Sequence, residues 1–284
     1  MTRFEKYAKE LDIYSKEGMF QESIKSLMKK RDEMELNDYL NASLNLWIET
    51  DEQIGKKNVA KIIVTFLSLI TRAINVNMEE TVNTLKTFWF GSNEDPNLEF
   101  MSSYTEYTRL KAKQDQMLSK LSSEMSYSDK KDFATMIIQN YSKGVELVGK
   151  TYKTYLALAK IAEKKPVSYS NLWKLTIYKT ITEFKNITDN DFLILVEGIN
   201  RKIRNNEAHL NLGVNIERAV IEIKEFKNQK VKIQTIEWEE FIREEWPNIG
   251  WSIQGFVYAE ILFIQAVYDK ERFVENYKKI LAMI

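Results

Sequence analysis

The chain has 284 residues and 44% hydrophobic content, enough for two modest domains or one large helical assembly with a real core. Its 41 Lys and Arg balance 41 Asp and Glu, so no bulk field draws it to a polyanion and any nucleic-acid site must be local. The absence of cysteine excludes disulfides and thiolate chemistry, and nine glycines and three prolines leave long regular elements with few tight turns, hence a mainly α fold.

Met1 runs into TRFEKYAKELDIYSKEG, where charges break up any apolar signal-peptide core, so a cytoplasmic protein is expected. Apolar periodicity predicts helices over about 2–16, 21–34, 38–54, 58–76, 79–90 and 97–121, with Gly18, Gly55 and Gly91 at C-terminal stops. No repeat of fixed length marks a solenoid. Two stretches are apolar enough to test as membrane spans. VAKIIVTFLSLITRAINV from Val59 is interrupted by Lys61 and Arg72, and FVYAEILFIQAVY from Phe256 by Glu260 and Gln265, so both read as buried core helices and no membrane partner is expected.

The Ser-rich stretch LSSEMSYSD (121–129) places a boundary near residue 125, between an N-terminal helical bundle over 1–125 and a second domain over 126–284. Beyond it, Ile138, Tyr141, Val145, Val148, Tyr152, Tyr155 and Ala159 step by threes and fours, the seam of one long helix that must stop before Pro166. Further helices are predicted over about 170–185 and 189–208. RAVIEIK and KVKIQTI then alternate in period two around FKNQ, which predicts a β-hairpin near 218–236. Helix resumes over 237–246 and from 251 to the end, with a kink near Asp269.

Within the long helix GVELVGKT (144–151) matches the phosphate-loop pattern letter for letter. A true phosphate loop follows a buried strand and curls its amides around the anion, whereas here the preceding residues read as helix and the apolar seam runs through the motif. The simpler reading is two glycines in a helix where another helix packs close. The acidic run IEWEEFIREEW (236–246) likewise suggests a metal cluster, but Glu239, Glu240, Glu244 and Glu245 read more simply as the wet face of a helix whose apolar side is Trp238, Phe241 and Ile242. One histidine and no cysteine argue against zinc, no spacing argues for magnesium, and no cofactor is expected.

The remaining motif is KIRNNEAH (202–209), which ends in the only histidine of the chain. A stripe of Phe192, Leu195, Val196, Ile199 and Ile203 leads into it, and at about 100° per residue Asn205 and His209 lie within about 40° of each other and off that stripe. A permanent cation, an amide and a base that exchanges protons near neutrality then meet near one helix end, a set suited to phosphodiester chemistry without metal. Arg204 and His209 stand about 140° apart around the axis, so two copies facing across a two-fold would complete one site. Arg201 and Lys202 add positive charge for an RNA backbone. Tyr169, Trp173 and Trp251 are candidates for base stacking, though aromatics at helical spacing more often belong to the core.

Here the sequence resembles the HEPN superfamily (higher eukaryote and prokaryote nucleotide-binding domain), whose hallmark is arginine, four to six residues and histidine, typically with a polar residue after the arginine. Arg204, Asn205 and His209 stand at the hallmark positions. The resemblance implies a compact helical bundle over about 125 to the end, with the β-hairpin as an insertion, and says little about 1–125. It implies a metal-independent endoribonuclease that dimerises to build a composite cleft, often as a toxin or an abortive-infection effector in antiphage defence. Transfer RNA as substrate, and an antitoxin or regulatory protein as partner, come by family analogy alone. One branch carries tyrosine two places after the histidine; Leu210 and Asn211 follow here, which does not support that branch. Two other readings stand beside this one: a non-catalytic dimeric module that binds RNA, a nucleotide or a protein, and a purely structural helical adaptor. A surface histidine near a helix C-terminus is itself stabilised by the helix dipole.

Overall fold

The computed structural model describes residues 1–20, 22–50, 54–119, 125–227 and 230–284. The fold is mainly helical with one small antiparallel sheet. The helices are α1 (Arg3–Lys16), α2 (Glu22–Lys30), α3 (Leu36–Ile48), α4 (Lys56–Ile74), α5 (Met78–Phe90), α6 (Met101–Leu118), α7 (Tyr127–Ala162), α8 (Tyr169–Lys174), α9 (Ile177–Ile187), α10 (Arg201–Ala208), α11 (Trp238–Glu240), α12 (Trp246–Tyr268) and α13 (Lys270–Leu281). The strands are β1 (Leu212–Asn215), β2 (Val220–Lys227) and β3 (Lys230–Glu237), in the order β1-β2-β3.

The chain forms two compact units, one of Met1–Thr105, Gly149–Glu197 and Trp251–Ile284, the other of Glu106–Val148 and Gly198–Gly250. Neither begins or ends near residue 125. The Ser-rich stretch there, of which 121–124 lie outside the described residues, joins two helices that turn back on each other: the Asn140 amide of α7 donates to Leu110 O at 3.2 Å and to Gln114 Oε1 at 3.0 Å on α6. A connection between packed helices carries the same Ser-rich signal as a linker between domains.

In the first unit the helix signals act as expected at most ends. Thr2 closes a capping box with Glu5 at the start of α1, Gly18 (φ +78°) lies just past its end, and Gly91 caps α5. Gly55 differs: its φ of +82° serves the N-terminal cap of α4, and α3 stops earlier, at Ile48. Residues 51–53, which fall in the helix predicted over 38–54, lie outside the described residues, as do Gln21 and residues 120–121 at predicted helix ends.

The apolar stretch from Val59 forms α4, whose Val59, Ile63, Phe66 and Ile70 are buried. Phe66 stacks on Phe256 of α12 (5.3 Å, 14°) and meets Tyr155 edge-on (4.7 Å, 73°). Each such ring contributes about 1.5–3 kcal/mol through burial. The two polar residues that interrupt the second apolar stretch are also buried: Glu260 accepts from Trp89, and Gln265 joins Asn276 and Asn41 in an amide cluster. Asp269 ends α12 and caps α13 by accepting from the Arg272 N–H, so the expected kink is a full break. Among the described residues no helix is long and apolar enough to cross a membrane.

α7 runs unbroken for 36 residues, and all seven residues of its predicted seam are buried. The phosphate-loop motif lies wholly inside it. Its glycines mark close packing within each unit: a Cβ on Gly144 would collide with Ile249 and approach Tyr107 at 2.9 Å, and one on Gly149 would lie 2.6 Å from Ile177.

Two predicted helices break. The one over 170–185 splits at Thr176, which caps α9 through its hydroxyl. The one over 189–208 reduces to a 3-10 turn at Leu193–Leu195 and the short α10, because Gly198 adopts φ +92° and Asn200 caps a new helix. Phe192, Leu195, Val196 and Ile203 are buried as the stripe requires, yet no single helix carries them. The β-hairpin is observed, residues 228–229 lying outside the described residues, and β1 adds a third strand that the period-two pattern does not predict.

Candidate functional site

α10 is eight residues long, and its position is set at both ends within the second unit. At its start Asn200 Oδ1 accepts from the Lys202 N–H at 3.1 Å, satisfying one of the donors that the first helical turn leaves open. The Asn200 backbone N–H donates to the Tyr141 hydroxyl at 2.8 Å, and its side-chain amide donates to Glu245 Oε1 at 3.1 Å. The Tyr141 hydroxyl in turn points to Glu245 Oε2 at 3.5 Å. Burial pushes the Tyr141 phenol well above its ordinary pKa, against the bond from Asn200, and the Glu245 carboxylate pushes it further. The hydroxyl therefore keeps its proton and remains available as a donor.

Glu245 is thus not part of a wet helix face. Glu239, Glu240 and Glu244 are exposed as expected, but Phe241–Glu245 form a π-helical turn, and helical periodicity extrapolated across a wider turn misplaces the residue at its end. Among the described residues no group of three or more His, Asp or Glu side chains is placed to hold a metal ion.

Ile203 is fully buried and fixes the inner face of α10. Of the flanking cations, Lys202 reaches Gln234 Oε1 on β3 at 3.3 Å and Glu225 Oε1 on β2 at 3.5 Å, so part of the expected positive patch is already compensated. Arg201 opens the helix and is half-buried.

Arg204 and Asn205 are brought together directly: Arg204 Nη1 donates to Asn205 Oδ1 at 2.9 Å. Arg204 Nη2 forms an ion pair with Glu146 of α7. Glu146 is the acid inside the false phosphate-loop motif, and Gly144, two residues before it, lets α7 pack close to Ile249. His209 does not belong to the helix proper. It is the C-cap of α10, its N–H donates to Asn205 O at 3.2 Å, and its exposed ring makes no hydrogen bond or ion pair among the described residues. The chain leaves through Leu210, which adopts φ +55° with 91% of its surface exposed, while Asn211 N–H closes the helix end on Asn206 O.

The candidate site therefore holds Arg204 and Asn205 in contact, His209 linked to them through its backbone N–H alone, and four further residues absent from the motif: Glu146, Tyr141, Asn200 and Glu245. Asn200 carried a legible signal, an asparagine two residues after a glycine and directly before a helix of basic residues. The other three are set by tertiary pairing. The stacking candidates belong to the first unit, where Trp173 lies on Phe100 (5.0 Å, 11°), the Tyr169 hydroxyl shares a hydrogen bond with Thr84 at 2.8 Å, and Trp251 blocks any side chain at Gly55. Comparison of the chain with protein-family models, with curated proteins and with solved structures finds no match, so the functional reading rests on the chemistry of these side chains.

Proposed function

We propose that the protein is a metal-independent endoribonuclease of the HEPN type, acting as a dimer and serving as a toxin or abortive-infection effector in antiphage defence. The observation that carries this reading is a bonded Arg204–Asn205 pair on one eight-residue helix, followed at the helix's C-cap by His209, whose ring is open to solvent.

In this reaction the ribose 2′-hydroxyl of RNA attacks the adjacent phosphorus, the bond from phosphorus to the 5′-oxygen breaks, and a 2′,3′-cyclic phosphate and a 5′-hydroxyl result. His209 takes the 2′ proton as general base or supplies a proton to the leaving oxygen as general acid. Arg204 stabilises the charge gathering on the phosphoryl oxygens. Asn205 orients the guanidinium through its carbonyl oxygen, and Arg201 and Lys202 meet the flanking phosphates. A second copy supplies the complementary half of the cleft.

The ion pair between Arg204 and Glu146 favours a second reading, a dimeric module that binds RNA or a protein partner without cutting, because the cation is already neutralised internally. Induced expression of wild type beside His209→Ala and Arg204→Ala, with growth followed and RNA ends mapped, separates the two. Cleavage by purified wild type that persists in EDTA, leaves cyclic-phosphate ends and vanishes in both variants supports the ribonuclease. Equal cutting by the variants, or RNA bound by wild type and left intact, rejects it.

A further inference from the structure

β3 is an edge strand, paired with β2 alone among the described residues, and every residue of it except Ile236 is exposed. Natural edges are usually guarded by proline, bulges or charges on the exposed row, because a bare row of N–H and C=O groups recruits another strand. This one has no proline, its Lys230 and Lys232 lie on the face opposite Val231 and Ile233, and Glu237 stands at the strand's end, so the middle of the outer row carries no charge. Val231 (64% exposed), Ile233 (61%) and Thr235 form a row of β-branched side chains on the outer face of the sheet, the residue types that most favour strand pairing.

We propose that this edge pairs with the same edge of a second copy of the chain, antiparallel about a two-fold axis through Ile233, making one continuous six-stranded sheet. A two-fold normal to a sheet keeps each face on its own side, so only residues on the same face of the two strands can stand opposite each other. The stretch Val231-Lys232-Ile233-Gln234-Thr235 reads β-branched, polar, β-branched, polar, β-branched in either direction. Centred on Ile233, the pairing sets Ile233 against the partner's Ile233, Val231 against the partner's Thr235, and Lys232 against the partner's Gln234. Neighbouring registers fail on charge. An axis through Lys232 opposes two ammonium groups directly, and an axis through Gln234 sets Val231 against the carboxylate of the partner's Glu237. In the Ile233 register each Lys232 instead keeps Glu225 of its own β2 as cross-strand neighbour. Each copy uses its β3 edge once, so the assembly closes as a dimer.

The register also concerns α10. Lys202 reaches both Glu225 and Gln234, which places the start of α10 over the β2–β3 pair on the face opposite Val231 and Ile233. The axis through Ile233 then sets the two α10 helices on one face of the shared sheet, on either side of the dyad. That these two helices build one composite cleft rests on the ribonuclease reading; the strand pairing does not.

The chain has no cysteine, so single thiols report the register without background. Under mild oxidation Ile233→Cys is expected to form a covalent dimer with itself, since directly opposed strand residues lie within disulfide reach. Val231→Cys alone is expected to stay uncrosslinked but to couple when mixed with Thr235→Cys. Light scattering is expected to show a dimer for wild type and a monomer for Ile233→Lys, with unchanged helix content by circular dichroism. A monomeric wild type at tens of micromolar, a dimer that survives Ile233→Lys, or self-coupling of Val231→Cys as fast as Ile233→Cys overturns the proposal. A β3-paired dimer that leaves RNA intact sinks the ribonuclease reading alone, and a ribonuclease that dimerises elsewhere sinks the strand pairing alone.

Discussion

Arg204 and Glu146 are joined across α10 and α7, so the guanidinium is held on one side by a carboxylate and on the other by the Asn205 carbonyl oxygen. Their side chains are 38% and 43% exposed although the Glu146 oxygen that meets Arg204 is itself buried; the rest of both groups is open to water, and such a pair contributes only about 0–1 kcal/mol. A phosphate can therefore take the place of Glu146 at modest cost. Removing the competing charge frees Arg204 for one more phosphate contact, and Glu146→Gln is expected to bind a 2′-deoxy-substituted RNA roughly 2- to 5-fold more tightly. The plot of log affinity against log salt should steepen by about one. Anisotropy titrations from 50 to 300 mM salt measure both; an unchanged slope, or weaker binding, shows that Glu146 orients Arg204 without competing for it.

The anchor beneath α10 predicts a stability effect that requires no RNA. Tyr141 accepts from the Asn200 N–H and points its own proton at Glu245. Tyr141→Phe leaves the N–H without that acceptor and the carboxylate without that donor, in a buried setting, and is expected to cost about 1–3 kcal/mol. Asn200→Ala should cost a similar amount, with the double variant less than the sum because both belong to one network. Urea unfolding of the four proteins measures this; strict additivity would dissolve the network into independent contacts.

The long elements of this fold were legible because their physics is local and periodic. The α7 seam from Ile138 to Ala159 is buried throughout, and the period-two alternation of RAVIEIK and KVKIQTI forms paired strands. The phosphate-loop match was correctly read as helix for the same reason. The stretch from Phe192 to Ile203 shows where such reasoning stops. Its apolar spacing is helical and most of it is buried, but a positive φ at Gly198 and a cap at Asn200 divide it into a 3-10 turn, a loop and a short helix. Periodicity reports which residues face a core and says less about whether one helix carries them. β1 escaped because four residues, LGVN, show no more than one alternation. Within the site Arg204 and Asn205 were legible as a motif, whereas Glu146, Tyr141 and Glu245 join it only through pairing across elements distant in sequence.

Leu210 follows His209 in a left-handed conformation, φ +55°, at the position past a helix end where glycine is the common choice. Its side chain is 91% exposed and gains little from burial. The strain of a non-glycine residue there is about 1–2 kcal/mol, partly offset by the extra unfolded-state freedom of glycine. Leu210→Gly is accordingly expected to raise stability by about 0.5–1 kcal/mol. Leu210→Ala, which keeps the Cβ, should gain nothing. Chemical denaturation compares the two; equal effects would mean that the leucine side chain, and not the backbone, sets the energy.

Glu260 gives the first unit a pH dependence with a definite sign. It lies on α12 with 8% of its surface exposed; Oε2 accepts from Trp89 Nε1 at 2.6 Å, and Oε1 is buried with no hydrogen-bond partner among the described residues. Burial raises its carboxyl to about 8, while the bond from Trp89 pulls the other way. Tyr155, itself buried and pushed far above its ordinary range, is the titratable neighbour that feels the Glu260 charge. Between the ordinary carboxyl value of 4.5 and about 8 the folded chain holds a proton that the unfolded chain has lost. The stabilisation from this group is thus complete below that window, declines as pH rises through it, and is gone above it, a change of about 3–5 kcal/mol. Glu260→Gln keeps an acceptor for Trp89 and cannot ionise. Its Tm should stay close to wild type at pH 5, pull ahead progressively to pH 8, and hold a constant lead beyond pH 9. A Tm difference that does not vary from pH 5 to pH 9 would show that Glu260 is ionised in the fold with a partner of its own.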